Sequence, residues 1–328
     1  MEKDIEKIPH LRLCITEECD NKCFYCRPGG EACRFLGGKE MSLHQIYQLV
    51  NILARHGITH LKITGGEPLI RDDIPKMILS LRSINGIKDI HLVTRAPKAG
   101  SIADQLKEVG LSCLNFSLDS LNPYTFLRIT RSGRLDLLLQ AIKRAYKSNL
   151  ELKFNMVVIR GINDHEIPAM IEFVGQYGAT LKLLDLMNMP GDPKFLDYYY
   201  MPLDRIVEKL KTEAVHWSTE RQSGGLGSPM SKFEMPSGAT VLVKDARIGT
   251  WYGDTCKGCK NFPCQDAIMA LRLTVDGCLQ QCLLRQDNLV DLLKMVEDIE
   301  SEETIDKAVD LVLCTFREAV YYEAAWKP

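Results

Sequence analysis

Three cysteines stand close together near the start of the chain, as Cys19-x3-Cys23-x2-Cys26. Thiolates are soft ligands, and three at this spacing suit three irons of a cubane iron–sulfur cluster, which a fourth ligand would saturate. Zinc is the competing occupant, although a closed structural zinc site takes four ligands and commonly uses paired C-x2-C units. A second group, Cys256-x2-Cys259-x4-Cys264 followed by Cys278 and Cys282, offers its own set of thiols and suits a cluster or zinc. With Cys14 and Cys33 counted beside the first triad, these two neighbourhoods hold ten of the twelve cysteines. Cys113 and Cys314 stand alone and read as core packing. A third feature is Thr64-Gly65-Gly66-Glu67-Pro68, where two glycines permit close backbone approach and Pro68 fixes the exit of the turn.

Elements of regular structure must hold these groups in place. From residue 11 to 187 short apolar runs alternate with amphipathic stretches. The pattern predicts strands over 11–16, 60–63, 89–93, 113–118, 152–159 and 180–186, and helices over 42–56, 74–84, 101–109, 136–148 and 166–177. Ser42 with Gln45 forms a capping-box start, and Asp164 offers an N-cap for the fifth helix. Alternating strands and helices give a parallel sheet with right-handed crossovers, an α/β barrel or an open sheet. Six units fall short of the eight in a closed barrel. The first triad follows the first strand directly and the Gly-Gly turn follows the second, so both lie where parallel α/β folds carry their sites. Beyond residue 200 the pattern changes to a helix over 204–213, a Ser/Gly/Pro-rich loop over 223–237, a strand over 240–244, the second thiol group, and helices over 290–299 and 303–325. A division into residues 1–200 and 201–328 is expected.

Composition narrows the class. The chain has 328 residues, long enough to bury a large core without disulfides, and 41 basic against 43 acidic residues. A net charge of −2 argues against a surface for bulk nucleic-acid binding and leaves room for a local basic pocket. No run of 18 apolar residues is present and the first ten residues are charged rather than signal-like, so a cytoplasmic protein without membrane association is expected. In a reducing compartment clustered thiols point to metal or catalysis rather than disulfides.

The triad and the Gly-Gly-Glu-Pro turn, in this order and spacing, resemble the radical S-adenosylmethionine (SAM) enzymes. The resemblance implies a partial (β/α)6 barrel and a [4Fe-4S] cluster on Cys19, Cys23 and Cys26 whose fourth iron chelates SAM. It also implies reductive cleavage of SAM to a 5′-deoxyadenosyl radical that abstracts hydrogen from substrate, with an electron donor such as flavodoxin or ferredoxin. Within the superfamily the chain is similar to the GTP 3′,8-cyclase group, through Leu11-Arg12-Leu13, residues 63–71, Asn115 to Leu121, Lys153 to Val158, Gly161-Ile162-Asn163-Asp164 and Leu186-Met187-Asn188-Met189. By that resemblance Tyr25, Gly65, Gly66, Glu67, Thr94, Ser117, Lys153 and Met187 would serve SAM, while Arg12, Lys182 and Arg272 would face a small-molecule substrate.

The same resemblance places an auxiliary [4Fe-4S] cluster domain of Twitch or SPASM type at the C-terminus, held by Cys256, Cys259 and Cys282, with Cys264 as fourth ligand and Cys278 as its alternative. Several positions depart from the cyclase pattern. Ala270 and Lys182 stand where substrate-binding arginines are expected, the sequence ends Ala325-Trp326-Lys327-Pro328 instead of Gly-Gly, and Thr94-Arg95-Ala96 replaces Thr-Asn-Gly. A triphosphate needs several cations at once. The expectation is therefore a related enzyme acting on another small molecule, with sugar or nucleotide character. GTP cyclisation and peptide maturation are the enzymatic alternatives, and a non-catalytic metal-binding scaffold is the alternative of another class. Cys23→Ala is expected to abolish 5′-deoxyadenosine formation in an anaerobic assay with SAM and reductant; an undiminished yield would refute the cluster assignment.

Overall fold

The computed structural model describes residues 8–26, 39–189, 192, 194–220, 229–245, 248–285 and 287–323. Cys33, most of the charged N-terminal stretch, part of the Ser/Gly/Pro-rich stretch and the terminal Ala325-Trp326-Lys327-Pro328 lie outside the described residues.

The strands are β1 (His10–Cys14), β2 (His60–Thr64), β3 (Asp89–Thr94), β4 (Cys113–Ser117), β5 (Glu151–Val157), β6 (Thr180–Leu184), β7 (His216–Glu220), β8 (Met230–Glu234), β9 (Thr240–Lys244), β10 (Gly249–Tyr252), β11 (Ala270–Leu273), β12 (Cys278–Gln280), β13 (Leu289–Asp291) and β14 (Val320–Glu323). Twelve of them form one sheet in the order β13-β12-β11-β1-β2-β3-β4-β5-β6-β9-β8-β7. From β11 through β1–β6 to β9 all neighbours are parallel, and the outermost pairs are antiparallel. The first six strands and their crossover helices make the partial barrel. Two strands from the second half extend it, β11 beside β1 and β9 beside β6, so the change of character near residue 200 is not a break in the sheet.

The two faces of the parallel sheet differ in chemistry because successive side chains alternate. One face carries Leu11, Leu13, Ile63, Ile90, Leu92, Leu114, Phe116, Phe154, Met156, Leu181, Leu183, Val241 and Val243, all buried in the main hydrophobic core with the helices. Helix Leu43–Arg55 contributes Ile46, Leu49, Val50 and Leu53 to that core, and helix Leu135–Lys147 contributes Leu138, Ile142 and Ala145. A fully buried side chain of this kind is worth about 1.5–3 kcal/mol. The opposite face belongs to the site described below.

Local signals explain most boundaries. Ser42 accepts from the Gln45 amide while the Gln45 side chain accepts from the Ser42 amide, so the capping box is formed. Asp164 is not the N-cap expected: a 3-10 turn over Asp164–Glu166 precedes helix Ile167–Gly175, and neither element has a side-chain cap. Its neighbour Asn163, fully buried, instead ties the loop together. Asn163 donates to Asp119 O (2.7 Å) and Val157 O (2.8 Å), and its side-chain oxygen accepts from Ile159 N (2.7 Å).

Other expectations need correction. The helix over 101–109 divides into Lys98–Ser101 and Ala103–Glu108, and helix Pro123–Thr130, capped by Asn122 with Pro at its first turn, is an addition. Residues 230–234 form β8 although their Ser-, Gly- and Pro-rich surroundings read as loop, because the strand is completed by pairing to β7 and β9. The last helix stops at Arg317, and Val320–Glu323 pairs antiparallel with β10. Residues 289–291 likewise pair with β12 before the helix Leu292–Glu297 begins. In each case cross-strand hydrogen bonds from distant segments override an apolar pattern that is ambiguous locally.

Candidate active site

The loop after β1 carries the first thiol triad, and the loop after β2 carries the two glycines. They are joined through main-chain hydrogen bonds: Ile15 N to Thr64 O (3.1 Å), Gly66 N to Thr16 O (2.8 Å) and Glu67 N to Glu18 O (2.7 Å). The approach is so close that a Cβ on Gly65 would lie 2.5 Å from Thr16 O, and one on Gly66 would lie 2.1 Å from Glu18 O. Gly65 also has φ +148°, a region open chiefly to glycine. The other flank of the thiol loop is held by helix Pro123–Thr130, through Lys22 N to Thr130 O (3.0 Å) and Phe24 N to Ile129 O (3.1 Å). Phe24 packs against Phe195 and Tyr199. Arg71 fastens the base of the loop by donating to Ile15 O (3.1 Å) and Met41 O (3.0 Å), while Asp73 grips its guanidinium in a fork.

Glu67 points inward and is 3% exposed. Its carboxylate accepts from Leu69 N (3.1 Å), Thr94 Oγ1 (2.5 Å) and Arg95 N (2.8 Å). Burial raises its pKa, and the three donors oppose that rise. Arg95 is the centre of the adjoining network, donating from Nη1 to Cys23 Sγ (2.9 Å), from Nε to Ser117 O (3.1 Å), and from Nη2 to Tyr25 OH (3.2 Å) and Asp119 Oδ2 (2.5 Å). Tyr25 OH donates to the same Asp119 oxygen at 2.8 Å. Desolvation and the nearby carboxylate push the Tyr25 pKa well above its ordinary value, so the hydroxyl keeps its proton. Burial also raises the Cys23 thiol, with Arg95 pulling the other way.

One cavity opens along the inner face of the barrel, lined at its mouth by Tyr25, Cys26, Met187 and Met189 and along its walls by Arg12, Lys62, Lys182, Lys244 and Arg272. Strand register explains this grouping. Arg272, Arg12, Lys62 and His91 are successive lateral partners across β11, β1, β2 and β3, and Asn155 and Lys182 are partners across β5 and β6. Barrel interiors are ordinarily filled by branched apolar side chains; here five cations share the inner face with Asp185, Asp266 and apolar residues such as Val93, Val157 and Leu184. The crowding has electrostatic consequences. Burial, and then repulsion from Lys62, Lys244, Arg12 and Lys153, lowers the Lys182 pKa well below its ordinary value. Burial with Lys62 and Lys153 pushes His91 down to about 3, so His91 is neutral. Asn115 Nδ2 is buried with no hydrogen-bond partner among the described residues. Arg272 forms a buried ion pair with Asp266 at 2.9 Å, and Asp266 in turn accepts from Leu283 N at 2.6 Å.

A smaller cavity is lined by Cys256, Cys259, Cys264 and Cys282 together with Tyr252, Phe262 and Arg285. Tyr252 bridges it, its hydroxyl donating to Cys264 O at 2.8 Å and accepting from Cys264 N at 3.1 Å. Burial pushes the Cys264 thiol up to about 11 and raises Cys256 and Cys282 as well. Cys278 is fully buried on β12 and does not line this cavity.

The expected residues thus fall into three places. Tyr25, Glu67, Thr94 and Ser117 join the network around Cys23, with Gly65 and Gly66 in its backbone cradle. Met187, Arg12, Lys182 and Arg272 line the main cavity. Lys153 sits apart, in the amino-terminal half of β5, paired with Glu151 at 2.8 Å; Asn155, the next inward position toward the mouth, lines the cavity instead. Lys62, Lys244 and Asp119 were not singled out by sequence. Inward lysines among leucines and valines read as the solvated face of a strand, and only the curvature of the sheet turns that face inside. Arg95, met first as a departure from a pattern, proves to be a buried hub. Among the described residues no three Cys, His, Asp or Glu side chains are gathered tightly enough for a single metal ion. The donor chemistry of the first triad, three thiols with no imidazole or carboxylate, fits an iron–sulfur cluster with one iron left for a small ligand. The second set fits a cluster ligated by four thiols.

Residues 13–174 match the model of the radical SAM superfamily. The chain is 34% identical to a probable GTP 3′,8-cyclase of Pyrococcus abyssi over 87% of this chain and 88% of the relative. It is 33% identical to a probable GTP 3′,8-cyclase of Thermococcus kodakarensis over 91% and 92%, and 30% identical to the GTP 3′,8-cyclase of Listeria welshimeri over 92% and 87%. Among solved structures, Streptococcus suis SuiB bound to S-adenosylmethionine aligns over 92% of this chain and 68% of that one, with a TM-score of 0.59 at 13% identity. The last likeness concerns the fold.

Gly66→Ala is expected to force the two loops apart, lowering stability by about 2–3 kcal/mol. Urea denaturation of the metal-free chain and faster proteolysis within residues 15–26 would report it; an unchanged midpoint and cleavage pattern would show that the close approach does not constrain the thiol loop.

Proposed function

The chain belongs to the radical SAM superfamily and to the group of the GTP 3′,8-cyclases, and from that premise we propose that it acts on a nucleoside triphosphate, GTP being the substrate in its relatives' name. As a radical SAM enzyme it uses SAM and a [4Fe-4S] cluster, for which Cys19, Cys23 and Cys26 are the proposed ligands. When bound, cluster and SAM together supply a 5′-deoxyadenosyl radical able to abstract hydrogen from substrate. Tyr25, Gly65, Gly66, Thr94, Ser117 and Met187 surround the SAM position, with Glu67 holding the loop and Asn155 filling the role expected of Lys153. An electron donor of flavodoxin or ferredoxin type, in the cytoplasm, completes this reading. No helix among the described residues is long and apolar enough to cross a membrane.

The observation that carries the substrate proposal is the cationic inner face. Arg12, Lys62, Lys182, Lys244 and Arg272 line one cavity in a chain whose net charge is only −2. The two arginine positions thinned in the sequence are thus offset by lysines from β2 and β9. A polyphosphate among these groups relieves their mutual repulsion and favours the charged form of Lys182, so binding takes up a proton in the window between the lowered free pKa and the higher bound one. Its affinity accordingly falls as pH rises through that window.

The second thiol set is proposed to hold a second [4Fe-4S] cluster through Cys256, Cys259, Cys264 and Cys282, closed by four ligands. A closed cluster leaves substrate binding to the cations and suits electron passage or support of the fold. A second substrate reading, another small molecule with sugar or phosphate character, is favoured by one observation: on the β11 wall Ala270 is uncharged and Arg272 is already paired with Asp266.

Anaerobic incubation of the reconstituted chain with GTP, SAM and reductant is expected to yield 5′-deoxyadenosine and a cyclised nucleotide by mass spectrometry. Lys62→Ala or Lys244→Ala should then raise KM for GTP about tenfold each, roughly 1.4 kcal/mol. Formation of 5′-deoxyadenosine without any nucleotide product would select the second reading. For the auxiliary site, Cys264→Ala should lower iron content below the parent's while Cys278→Ala leaves it unchanged; the reverse pattern would make Cys278 the fourth ligand.

A further inference from the structure

Arg95 stands where the cyclase pattern has a neutral asparagine, and the reading of the site given so far assigns it no chemical task. Its side chain is 7% exposed, and its donors are directed to Ser117 O, Tyr25 OH, Asp119 Oδ2 and Cys23 Sγ. The last contact, 2.9 Å from Nη1, joins a guanidinium to the sulfur of a proposed cluster ligand. A surface role and a substrate-anion role are both excluded by this engagement: Arg95 does not line the main cavity, and Asp119 already supplies its carboxylate.

We propose that Arg95 is a positioning residue for the SAM cluster, and that its hydrogen bond to Cys23 Sγ raises the cluster's reduction potential. Adding one electron to a cluster increases negative charge on its sulfurs, and an N–H donor fixed at a ligand sulfur stabilises the reduced form more than the oxidised one. The donor is a cation, and charge-assisted hydrogen bonds are about twice as strong as neutral ones. Asp119 balances the guanidinium charge, so the influence acts through the directed N–H rather than through a net charge near the cluster. Asp119 also keeps the fork in register: its Oδ1 accepts from Val157 N at 3.0 Å, anchoring the pair to β5. Tyr25, held by the same two groups, is tied to the arrangement that orients Cys23.

The inference rests on assigning Cys19, Cys23 and Cys26 to the first cluster. Failure of that assignment would show as parent-like iron in a Cys19→Ala/Cys23→Ala/Cys26→Ala chain, whereas failure of the inference shows only in the potentials below. Two variants test it after anaerobic reconstitution. Arg95→Gln/Asp119→Asn removes donor and counter-charge together, leaving no unpaired buried charge, and Arg95→Lys keeps the charge but loses the planar fork. Potentiometric titration followed by electron paramagnetic resonance, without SAM or substrate, is expected to place the first cluster of both variants at more negative potential than the parent's. The second cluster should titrate as in the parent. An unchanged first-cluster potential in either variant at parent-like iron content overturns the proposal. Loss of iron from Arg95→Lys also overturns it, since Arg95 would then be needed only to hold the loop. If the double variant alone fails to load, Arg95→Lys decides by the same measurement.

Discussion

The contact between the β1 and β2 loops governs this molecule. Two main-chain hydrogen bonds join Thr16 and Glu18 to Gly66 and Glu67, at a separation that leaves no room for a side chain on either glycine. The first thiol triad begins one residue beyond that seam. Its position relative to the barrel therefore follows from the spacing of two adjacent parallel strands, which is among the most rigid distances a protein offers. Arg71 beneath the loop and the end of helix Pro123–Thr130 beside it complete the clamp.

A second constraint is the division of the sheet into an apolar outer and a cationic inner face. Outward leucines, isoleucines, valines and phenylalanines supply the burial that holds the helices on. The inward positions then need not supply that stability, and they gather charge instead. Concentrating cations in a low-dielectric interior is unfavourable, as the lowered Lys182 and His91 values show. The buried ion pair Arg272–Asp266 relieves part of that cost on the β11 wall. What remains is a cavity that gains from receiving an anion. The near-neutral total charge conceals this, because only two acidic residues, Asp185 and Asp266, face five cations in the cavity.

The C-terminal third serves the barrel as well as its own thiols. β11 delivers Arg272 beside Arg12, and β9 delivers Lys244 to the wall beyond Lys182. The chain between β10 and β13 folds Cys256, Cys259, Cys264 and Cys282 around one small cavity, gathered by Tyr252 and its two hydrogen bonds to Cys264. The segment read as a separate unit thus shares a sheet with the strands that carry the first thiol loop.

Much of this was legible in the residues alone. The order and spacing of the triad and the Gly-Gly-Glu-Pro turn carry their meaning locally, since ligand spacing and backbone permissiveness are properties of a few consecutive residues. The six barrel strands and the capping box at Ser42 were readable for the same reason. β8, β11 and β14 were not, because a short strand is stable only when a distant partner completes its hydrogen bonds. Lys62 and Lys244 looked like a solvated strand face until the curvature of the sheet turned that face inward. Arg95 was visible as an oddity, and only the meeting of β3 and β4 with the β1 loop made it a neighbour of Cys23. Sequence by itself determined which chemistry this chain can perform, because that depends on donor atoms and their near neighbours. Tertiary structure decided which charges surround that chemistry, because electrostatic interactions act across space between residues the chain order keeps far apart.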